Sequence, residues 1–217
     1  METNEVSNWE IHHEFLNEET CDILEEHFNI QKQQGSCRYG NVNGYPQGNC
    51  YDLYGDSFCE AIGVYKADQV SRYAKTDVSL TYGLLREYEK GAGLTWHRDR
   101  WQCKYSVTIQ LTTGAWPLEF AETYIGGLWV PDSSVILQRG DALFYKGCEI
   151  YHSRQPLKNS HSRHLLLHYV EKGSALDKKD NRPEYGRLHQ LKAVKGVQRV
   201  EATAYNKNSK RERQTSR

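Results

Sequence analysis

The spacing of apolar residues changes character once along the chain, at about residue 79. Before it, apolar residues recur at helical spacing in two segments, residues 15 to 33 and 57 to 73. Beyond it, short apolar or alternating runs are separated by turn signals such as Gly126-Gly127 and Pro131-Asp132. These runs predict strands at residues 79–88, 105–112, 118–121, 134–138, 142–145 and 163–170. The pattern therefore predicts a mainly β sandwich or jelly roll, with N-terminal helices packed on one sheet.

The segment between the two helices has a different composition. The first helix is expected to begin at Asn17, which is followed by acidic residues. Residues 35–55 are rich in Gly, Asn and Tyr and show little periodicity, which predicts a long ordered loop or short strands. Long segments of this kind in compact domains often act as lids or binding segments. We therefore hypothesise that residues 35–55 fold over a substrate mouth.

Length and charge divide the chain into a body and a tail. We predict one domain at residues 1–170, with a helical part at about 1–75 and a strand-rich core at about 79–170. The whole chain has 28 Lys and Arg against 28 Asp and Glu, but residues 171–217 hold 13 basic and 6 acidic residues. This basic extension is expected to be solvated or partly disordered, and the alternative is that it contacts an anionic partner.

The chain carries no predicted export or membrane signal. Its start has neither a basic nor an apolar region of a signal peptide, and no apolar run approaches the roughly 18 residues of a membrane span. The six cysteines contain no C-x-x-C pair. We therefore predict reduced thiols in a cytoplasmic protein with no membrane partner.

His97, Asp99 and His152 form a candidate metal site. Residues i and i+2 of a strand point to the same face, so His97 and Asp99 can offer an imidazole and a carboxylate to one ion. His152 follows 53 residues after Asp99, at the end of a later predicted strand, and can supply a third ligand. A single histidine in a β protein is more often structural, and His-x-Asp alone is a common tripeptide. The combination suits a non-haem Fe(II) centre with open positions.

Arg163 adds a function that a bare metal site lacks. It lies one predicted hairpin beyond His152. Its planar guanidinium can hold a carboxylate with two parallel hydrogen bonds, as a 2-oxo acid co-substrate requires. Arg154 is a rival, but two residues after a ligand it would crowd the strand that carries the metal.

Residues 82–170 resemble the Fe(II)/2-oxoglutarate-dependent oxygenases, close to their prolyl-4-hydroxylase-like branch. The resemblance is carried by YGLLREYEKGAGLTWHRDR, YSVTIQL, LQRGDALFYKGCEIYH and SRHLLLHYV. It implies a double-stranded β-helix, a cupin-like jelly roll, with His97, Asp99 and His152 as iron ligands. It also implies Arg163 as the partner of the far carboxylate of 2-oxoglutarate, although the spacing from His152 to Arg163 is slightly longer than usual in that branch.

The resemblance implies an enzyme that consumes O₂ and 2-oxoglutarate, with ascorbate as a supporting reductant. Asp99 matters because related halogenases carry a small residue there, so its presence implies hydroxylation. Tyr88 and Gln110 stand where the prolyl hydroxylases place polar contacts to the co-substrate. Ordinary strand side chains are the alternative for both.

Strand parity gives a specific prediction about the last strand. If Arg163 points into the barrel, so do Leu165, Leu167 and Tyr169. The three residues between them, His164, Leu166 and His168, then point outward, and the two histidines pack against the helical layer.

The substrate is predicted only as a class. Four residues flank the metal segment and are candidates for a substrate mouth: Arg98, Arg100, Trp101 and Trp116. Arginines beside tryptophans suit an anionic or zwitterionic substrate, such as a free amino acid or a peptide. Two alternatives stay open: a nucleic-acid-modifying oxygenase that uses the basic extension, and a cupin-like metal-binding protein without turnover. Nucleobase demethylases of the superfamily usually carry a second arginine at the position of Tyr169, which disfavours the first alternative.

Overall fold

The computed structural model describes residues 8–40, 46–47 and 49–177, which form two facing β-sheets and a layer of helices. The larger sheet has the order β1-β12-β7-β14-β5-β4-β2 and the smaller sheet the order β11-β8-β13-β6-β3; β9 and β10 form a separate hairpin. In chain order the strands are β1 (Trp9–His12), β2 (Arg38–Tyr39), β3 (Pro46–Gln47), β4 (Cys50–Tyr54), β5 (Val78–Glu89), β6 (Gly93–His97), β7 (Tyr105–Gln110), β8 (Leu118–Ala121), β9 (Thr123–Ile125), β10 (Leu128–Val130), β11 (Ser133–Val135), β12 (Ala142–Tyr145), β13 (Tyr151–Arg154) and β14 (His161–Glu171).

Three α-helices precede the main strands: α1 (Glu18–Gln33), α2 (Ser57–Tyr65) and α3 (Ala67–Ala74). Asn17 is the N-cap of α1, and its side chain accepts a hydrogen bond from the backbone N–H of Thr20, as the sequence predicts. The second predicted helix is divided at Lys66 into α2 and α3. A short 3₁₀ turn, Trp101–Cys103, follows β6.

The predicted jelly roll with helices on one sheet is confirmed. Leu24 and Phe28 of α1 and Val70 of α3 bury apolar side chains against the larger sheet. They meet the aliphatic row of β14, which includes Leu165 and Leu167. A second, smaller apolar cluster lies at one end of the two sheets and includes Phe120 of β8 and Tyr145 of β12.

The predicted parity of β14 is wrong. Leu165, Leu167 and Tyr169 face the helices, and the Tyr169 hydroxyl donates to the carbonyl oxygen of Gly63 in α2. The alternate residues His164 and His168 face the space between the sheets. The apolar residues of β14 pack against the helices, and its two histidines face the space between the sheets. A shift of one residue therefore reverses the face of every side chain.

Segment 35–55 is not a loop in its described part. It contributes β2 and β4 to the larger sheet and β3 to the smaller one. Residues 41–45 and 48 lie outside the described residues, so the lid hypothesis stays a prediction.

All described residues fall in one compact unit, Met1–Lys179. Most of the predicted basic extension, residues 178–217, lies outside the described residues, so its boundary at residue 171 stays a prediction. The six cysteines are free thiols. Among the described helices, none is long and apolar enough to cross a membrane.

Candidate metal centre

The strands β6 and β13 bring the two candidate histidines together. They pair antiparallel in the smaller sheet with His97 directly opposite His152, and their ring centroids are 4.3 Å apart. Asp99 lies beyond the end of β6, and its backbone N–H donates to the carbonyl oxygen of Gly147, 2.8 Å away. Asp99 therefore reaches the histidines from an irregular segment rather than from the same strand as His97.

The three side chains present their ligand atoms to one point. Oδ1 of Asp99 lies 3.5 Å from Nε2 of His97 and 3.7 Å from Nε2 of His152. Metal–ligand bonds of about 2.1 Å that meet at right angles separate neighbouring ligand atoms by about 3 Å. The two distances exceed that value by about 0.5 and 0.7 Å, and all three donor atoms lie within 4.8 Å of one another, so small side-chain shifts would let them bind one divalent ion. Two imidazoles and one carboxylate are a donor set that fits iron.

Backbone carbonyls fix the orientation of both imidazoles. Nδ1 of His97 lies 2.8 Å from the carbonyl oxygen of Thr95, and Nδ1 of His152 lies 3.1 Å from that of Ile150. A carbonyl only accepts, so each Nδ1 carries the proton and each Nε2 carries the lone pair that a metal needs. Asp99 is held in the same way, because its Oδ2 accepts a hydrogen bond of 2.8 Å from the hydroxyl of Ser106.

The electrostatics of the cluster favour the protonation states of metal ligands. Burial lowers the pKa of His152 to about 4, although Asp99 opposes that shift. Burial raises the pKa of Asp99, but His152, His97 and His168 outweigh burial and the net pKa lies below the ordinary value. At neutral pH the site therefore offers a neutral imidazole at His152 and an ionised carboxylate at Asp99.

Gly147 and Ser106 are site residues that sequence reasoning missed. A Cβ atom at Gly147 would overlap Oδ2 of Asp99, Oγ of Ser106 and the carbonyl oxygen of Cys103. The signal available in the sequence was the position of Gly147, five residues before His152 in the stretch that carries the resemblance. The sequence does not mark Ser106 as a site residue, because serine is also common in strands that carry no site.

Arg163 does not face the metal. Its Nε donates to Glu87, 2.6 Å away, and its Nη2 donates to Asn29 of α1 at 2.8 Å. The guanidinium lies over the ring of Phe28, 4.7 Å from its centroid. The predicted inward orientation of Arg163 is therefore wrong, because its charge is already paired in the contact between the larger sheet and α1.

A second group of buried side chains, which combines aromatic rings with an arginine and a histidine, lies between the sheets. Tyr88, Trp116 and His164 are buried with their rings 4.8 to 5.8 Å apart. The guanidinium of Arg154 lies 4.6 Å from the centroid of the Trp116 ring. We call Tyr88, Trp116, Arg154 and His164 the inner pocket.

The two predicted co-substrate contacts both lie between the sheets. Tyr88 belongs to the inner pocket, and Gln110 of β7 donates to the hydroxyls of Thr112 and Ser162 at 3.0 and 3.2 Å. Their contact with a co-substrate stays a prediction.

Two of the four predicted mouth residues line an open cleft. Arg98 and Trp101 line a cavity of about 390 Å³ together with Trp96, Cys148, Tyr151 and the candidate ligands His97 and Asp99. Arg98 is exposed, and its guanidinium lies 4.8 Å from the centroid of the Tyr151 ring, which stacks on Trp129 of the hairpin β9–β10. Trp101 is 67% exposed.

The other two predicted mouth residues lie elsewhere. Arg100 donates to the hydroxyl of Tyr54 and lies over the ring of Tyr82, so it packs on the larger sheet. Trp116 is buried in the inner pocket, and its indole N–H donates to the carbonyl oxygen of Gln155. Neither residue is among those that line the cleft beside Asp99, and their contact with a substrate stays a prediction.

Solved structures share this fold, although no protein-family model and no curated protein matches the chain. A prolyl-4-hydroxylase of Pseudomonas putida has a TM-score of 0.58 and 14% identity, over 76% of this chain and 94% of its own. A prolyl hydroxylase of Trichoplax adhaerens, in complex with a peptide of hypoxia-inducible factor, has a TM-score of 0.57 and 15% identity, over 76% of this chain and 84% of its own. A non-haem α-ketoglutarate-dependent carbocyclase from nogalamycin biosynthesis has a TM-score of 0.66 and 9% identity, over 85% of this chain and 87% of its own. At these identities the similarity shows the jelly-roll fold alone.

Proposed function

We propose that this protein is an Fe(II)- and 2-oxoglutarate-dependent dioxygenase that hydroxylates an unactivated C–H bond. The observation that carries the proposal is the convergence of His97, Asp99 and His152 on one point beside an open cleft. Two imidazoles and one carboxylate leave the other positions of an octahedral ion open, which is the donor set of non-haem Fe(II) oxygenases. The chemistry named for the structures of similar fold supports the same class.

The bound iron would supply the oxidative chemistry, in which one atom of O₂ enters the C–H bond and the other enters succinate as 2-oxoglutarate loses CO₂. The chain supplies orientation. The carbonyls of Thr95 and Ile150 fix both imidazoles, and Ser106 holds the Oδ2 atom of Asp99 away from the ion. These contacts keep the donors in place before any substrate arrives.

The proposed substrate is an amino-acid side chain, either in a peptide or in a free amino acid. The cleft beside Asp99 carries the exposed cation of Arg98 and the aromatic surfaces of Trp101 and Tyr151. A cation beside aromatic rings suits a carboxylate or a zwitterion with an apolar or ring-shaped neighbour. The residues on which the nucleic-acid alternative depends lie almost entirely outside the described part of the chain, so that alternative stays a prediction.

Replacement of Asp99 tests the metal site. Asp99→Ala removes the single anionic donor, so we expect it to abolish Fe(II) retention and the formation of succinate from 2-oxoglutarate, with ascorbate present. Asp68→Ala is the matched control, because Asp68 is an exposed carboxylate on α3, across the larger sheet from the site. Metal content is measured after desalting, and succinate by mass spectrometry across peptide and amino-acid pools. Undiminished succinate formation in Asp99→Ala would contradict the proposed function.

A further inference from the structure

Arg154 is a buried cation without an anionic partner. Only 6% of the residue is exposed, and its guanidinium contacts the carbonyl oxygen of Trp116 and the face of the Trp116 ring. Among the residues that the structure describes, no carboxylate lies within ion-pair distance of it. A guanidinium keeps its charge in proteins, so Arg154 is a cation at neutral pH. A buried charge is costly unless an opposite charge joins it, so this arrangement favours an anionic ligand.

The other two buried arginines among the described residues lie on the larger sheet, and both are paired with a carboxylate. Arg86 makes a two-pronged contact with Asp52, with both hydrogen bonds at 2.6 Å, and Arg163 is paired with Glu87. Two parallel hydrogen bonds to a carboxylate satisfy most of the binding capacity of a guanidinium. Arg154 is thus the buried arginine in the described residues whose charge is still available to a ligand.

His164 adds a hydrogen-bond donor to the same pocket. Its Nε2 lies 3.0 Å from the hydroxyl of Ser162, and that hydroxyl oxygen accepts a hydrogen bond from the amide of Gln110. Ser162 can therefore donate its own proton to Nε2, which leaves the proton of the neutral imidazole on Nδ1. Nδ1 of His164 is buried without a hydrogen-bond partner, and the residue as a whole is only 1% exposed. An unpaired buried N–H is rare and indicates a missing acceptor.

The inner pocket is close enough to the metal site for one small molecule to reach both. Arg154 follows the candidate ligand His152 by two residues on β13, a separation of roughly 6.6 Å along a strand. The Trp116 ring connects Arg154 with His164, because its centroid lies 4.6 Å from the guanidinium and 5.7 Å from the centroid of the His164 ring. The separation between Arg154 and His152 is comparable with the length of an extended five-carbon diacid.

We propose that Arg154, supported by the Nδ1–H of His164, binds the carboxylate of 2-oxoglutarate that lies far from the metal. The inference rests on the proposed function, and it replaces Arg163 as the carboxylate partner. The anchor then lies on the strand that carries His152, rather than at the predicted position on β14. Arg154 supplies the charge and His164 a directional hydrogen bond, while the Trp116 ring supports the guanidinium from one side.

Binding to the metal-loaded protein tests this assignment without turnover. The protein is loaded with Mn(II) without oxygen, and 2-oxoglutarate and 2-oxobutyrate are each titrated by calorimetry and by tryptophan fluorescence. The two acids share the 2-oxo acid head, and 2-oxobutyrate lacks the far carboxylate. We expect the wild-type protein to prefer 2-oxoglutarate by about a hundredfold, the scale of a buried charge-assisted contact.

Two arginine variants form the matched pair. In Arg154→Met the preference for 2-oxoglutarate is expected to fall to within about threefold of unity, with Mn(II) binding retained. In Arg163→Met the preference is expected to persist. His164→Leu is expected to reduce the preference by about tenfold, as loss of one hydrogen bond predicts.

Each contrary outcome has its own meaning. If the preference survives in Arg154→Met, or is lost in Arg163→Met alone, the assignment to Arg154 is overturned and the proposed function stands. If the wild-type protein with Mn(II) bound takes up neither acid, the proposed function itself fails. If Arg154→Met no longer binds Mn(II), Arg154→Lys replaces it, and an unchanged affinity for 2-oxobutyrate with weakened affinity for 2-oxoglutarate is the supporting result.

Discussion

At the scale of single residues, the candidate metal centre depends on the atoms that surround its three donors. Asp99 is fixed by the carbonyl oxygen of Gly147 on its backbone and by the hydroxyl of Ser106 on its Oδ2 atom. Gly147 also leaves the volume in which that carboxylate lies. Partners of this kind commonly change metal affinity by about 10- to 100-fold when they are lost.

Gly147→Ala should therefore weaken the metal site without removing a donor. The added methyl group displaces the Asp99 carboxylate, so we expect the affinity for Mn(II) to fall by at least about tenfold. Gly126→Ala is the control, since Gly126 lies in the exposed turn of β9–β10 with no atom near the added methyl group. Its φ of +60° confines the backbone strain of the substitution to that turn. Isothermal titration of both variants measures the effect, and equal affinities would show that Asp99 does not depend on Gly147.

At the scale of elements, a buried ion-pair group fastens α1 to the larger sheet. Glu87 of β5 accepts from Lys32 of α1 at 2.7 Å and from Arg163 of β14 at 2.6 Å. Burial raises the pKa of Glu87, but these two cations outweigh it and the net pKa lies below the ordinary value. The structural role of Arg163 follows from this contact, since its charge joins a helix to two strands.

Glu87→Gln should destabilise the fold in a pH-dependent way. A pKa that is lower in the folded state gives a stabilising contribution above the unfolded pKa, and the contribution is lost as pH falls through the folded value. We expect the variant to lose about 2 kcal/mol of unfolding free energy at pH 7, with the difference from wild type shrinking below about pH 4.5. Urea denaturation at several pH values measures it. Glu19→Gln, at an exposed position of α1, should show no comparable trend.

At the scale of the whole molecule, the protein has two interiors of different character. The space between the larger sheet and the helices is apolar and is filled from β14 by Leu165, Leu167 and Tyr169. The space between the two sheets is mixed, because it contains the metal cluster and the inner pocket beside the smaller apolar cluster of Phe120 and Tyr145. Stability thus resides mainly in the first interior, and the proposed chemistry in the second.

This division predicts where truncation of an apolar side chain matters. Leu167→Ala creates a cavity in a fully buried layer, so we expect a loss of about 2–5 kcal/mol in unfolding free energy. Leu128→Ala removes the same atoms from a residue that is 72% exposed, and a change within about 0.5 kcal/mol is expected. Chemical denaturation of the two variants measures the contrast, and similar losses would contradict it.

Much of the fold follows from periodicity. The strands Leu118–Ala121 and Ala142–Tyr145 have the bounds that the pattern predicts, and β5, β7 and β14 differ only at their ends. The edge strand β1 was not predicted, and β2 and β3 were covered only by the expectation of a long loop or short strands at residues 35–55. Short edge strands carry little alternation and are defined by the neighbour with which they pair.

The sequence alone determined the residue types, the change to a strand-rich segment at about residue 79, and two histidines and an aspartate at the spacing of a metal site. Only the tertiary structure decided which face of each strand is enclosed. Arg163 and Arg154 are both arginines near His152 in sequence, but one pairs with Glu87 beneath the helices and the other lies without a counterion between the sheets. The physical reason is that alternation divides the side chains of a strand between two faces but does not specify which element packs on each face. In β14 the helices pack on the aliphatic face, and the histidine face lies towards the candidate site.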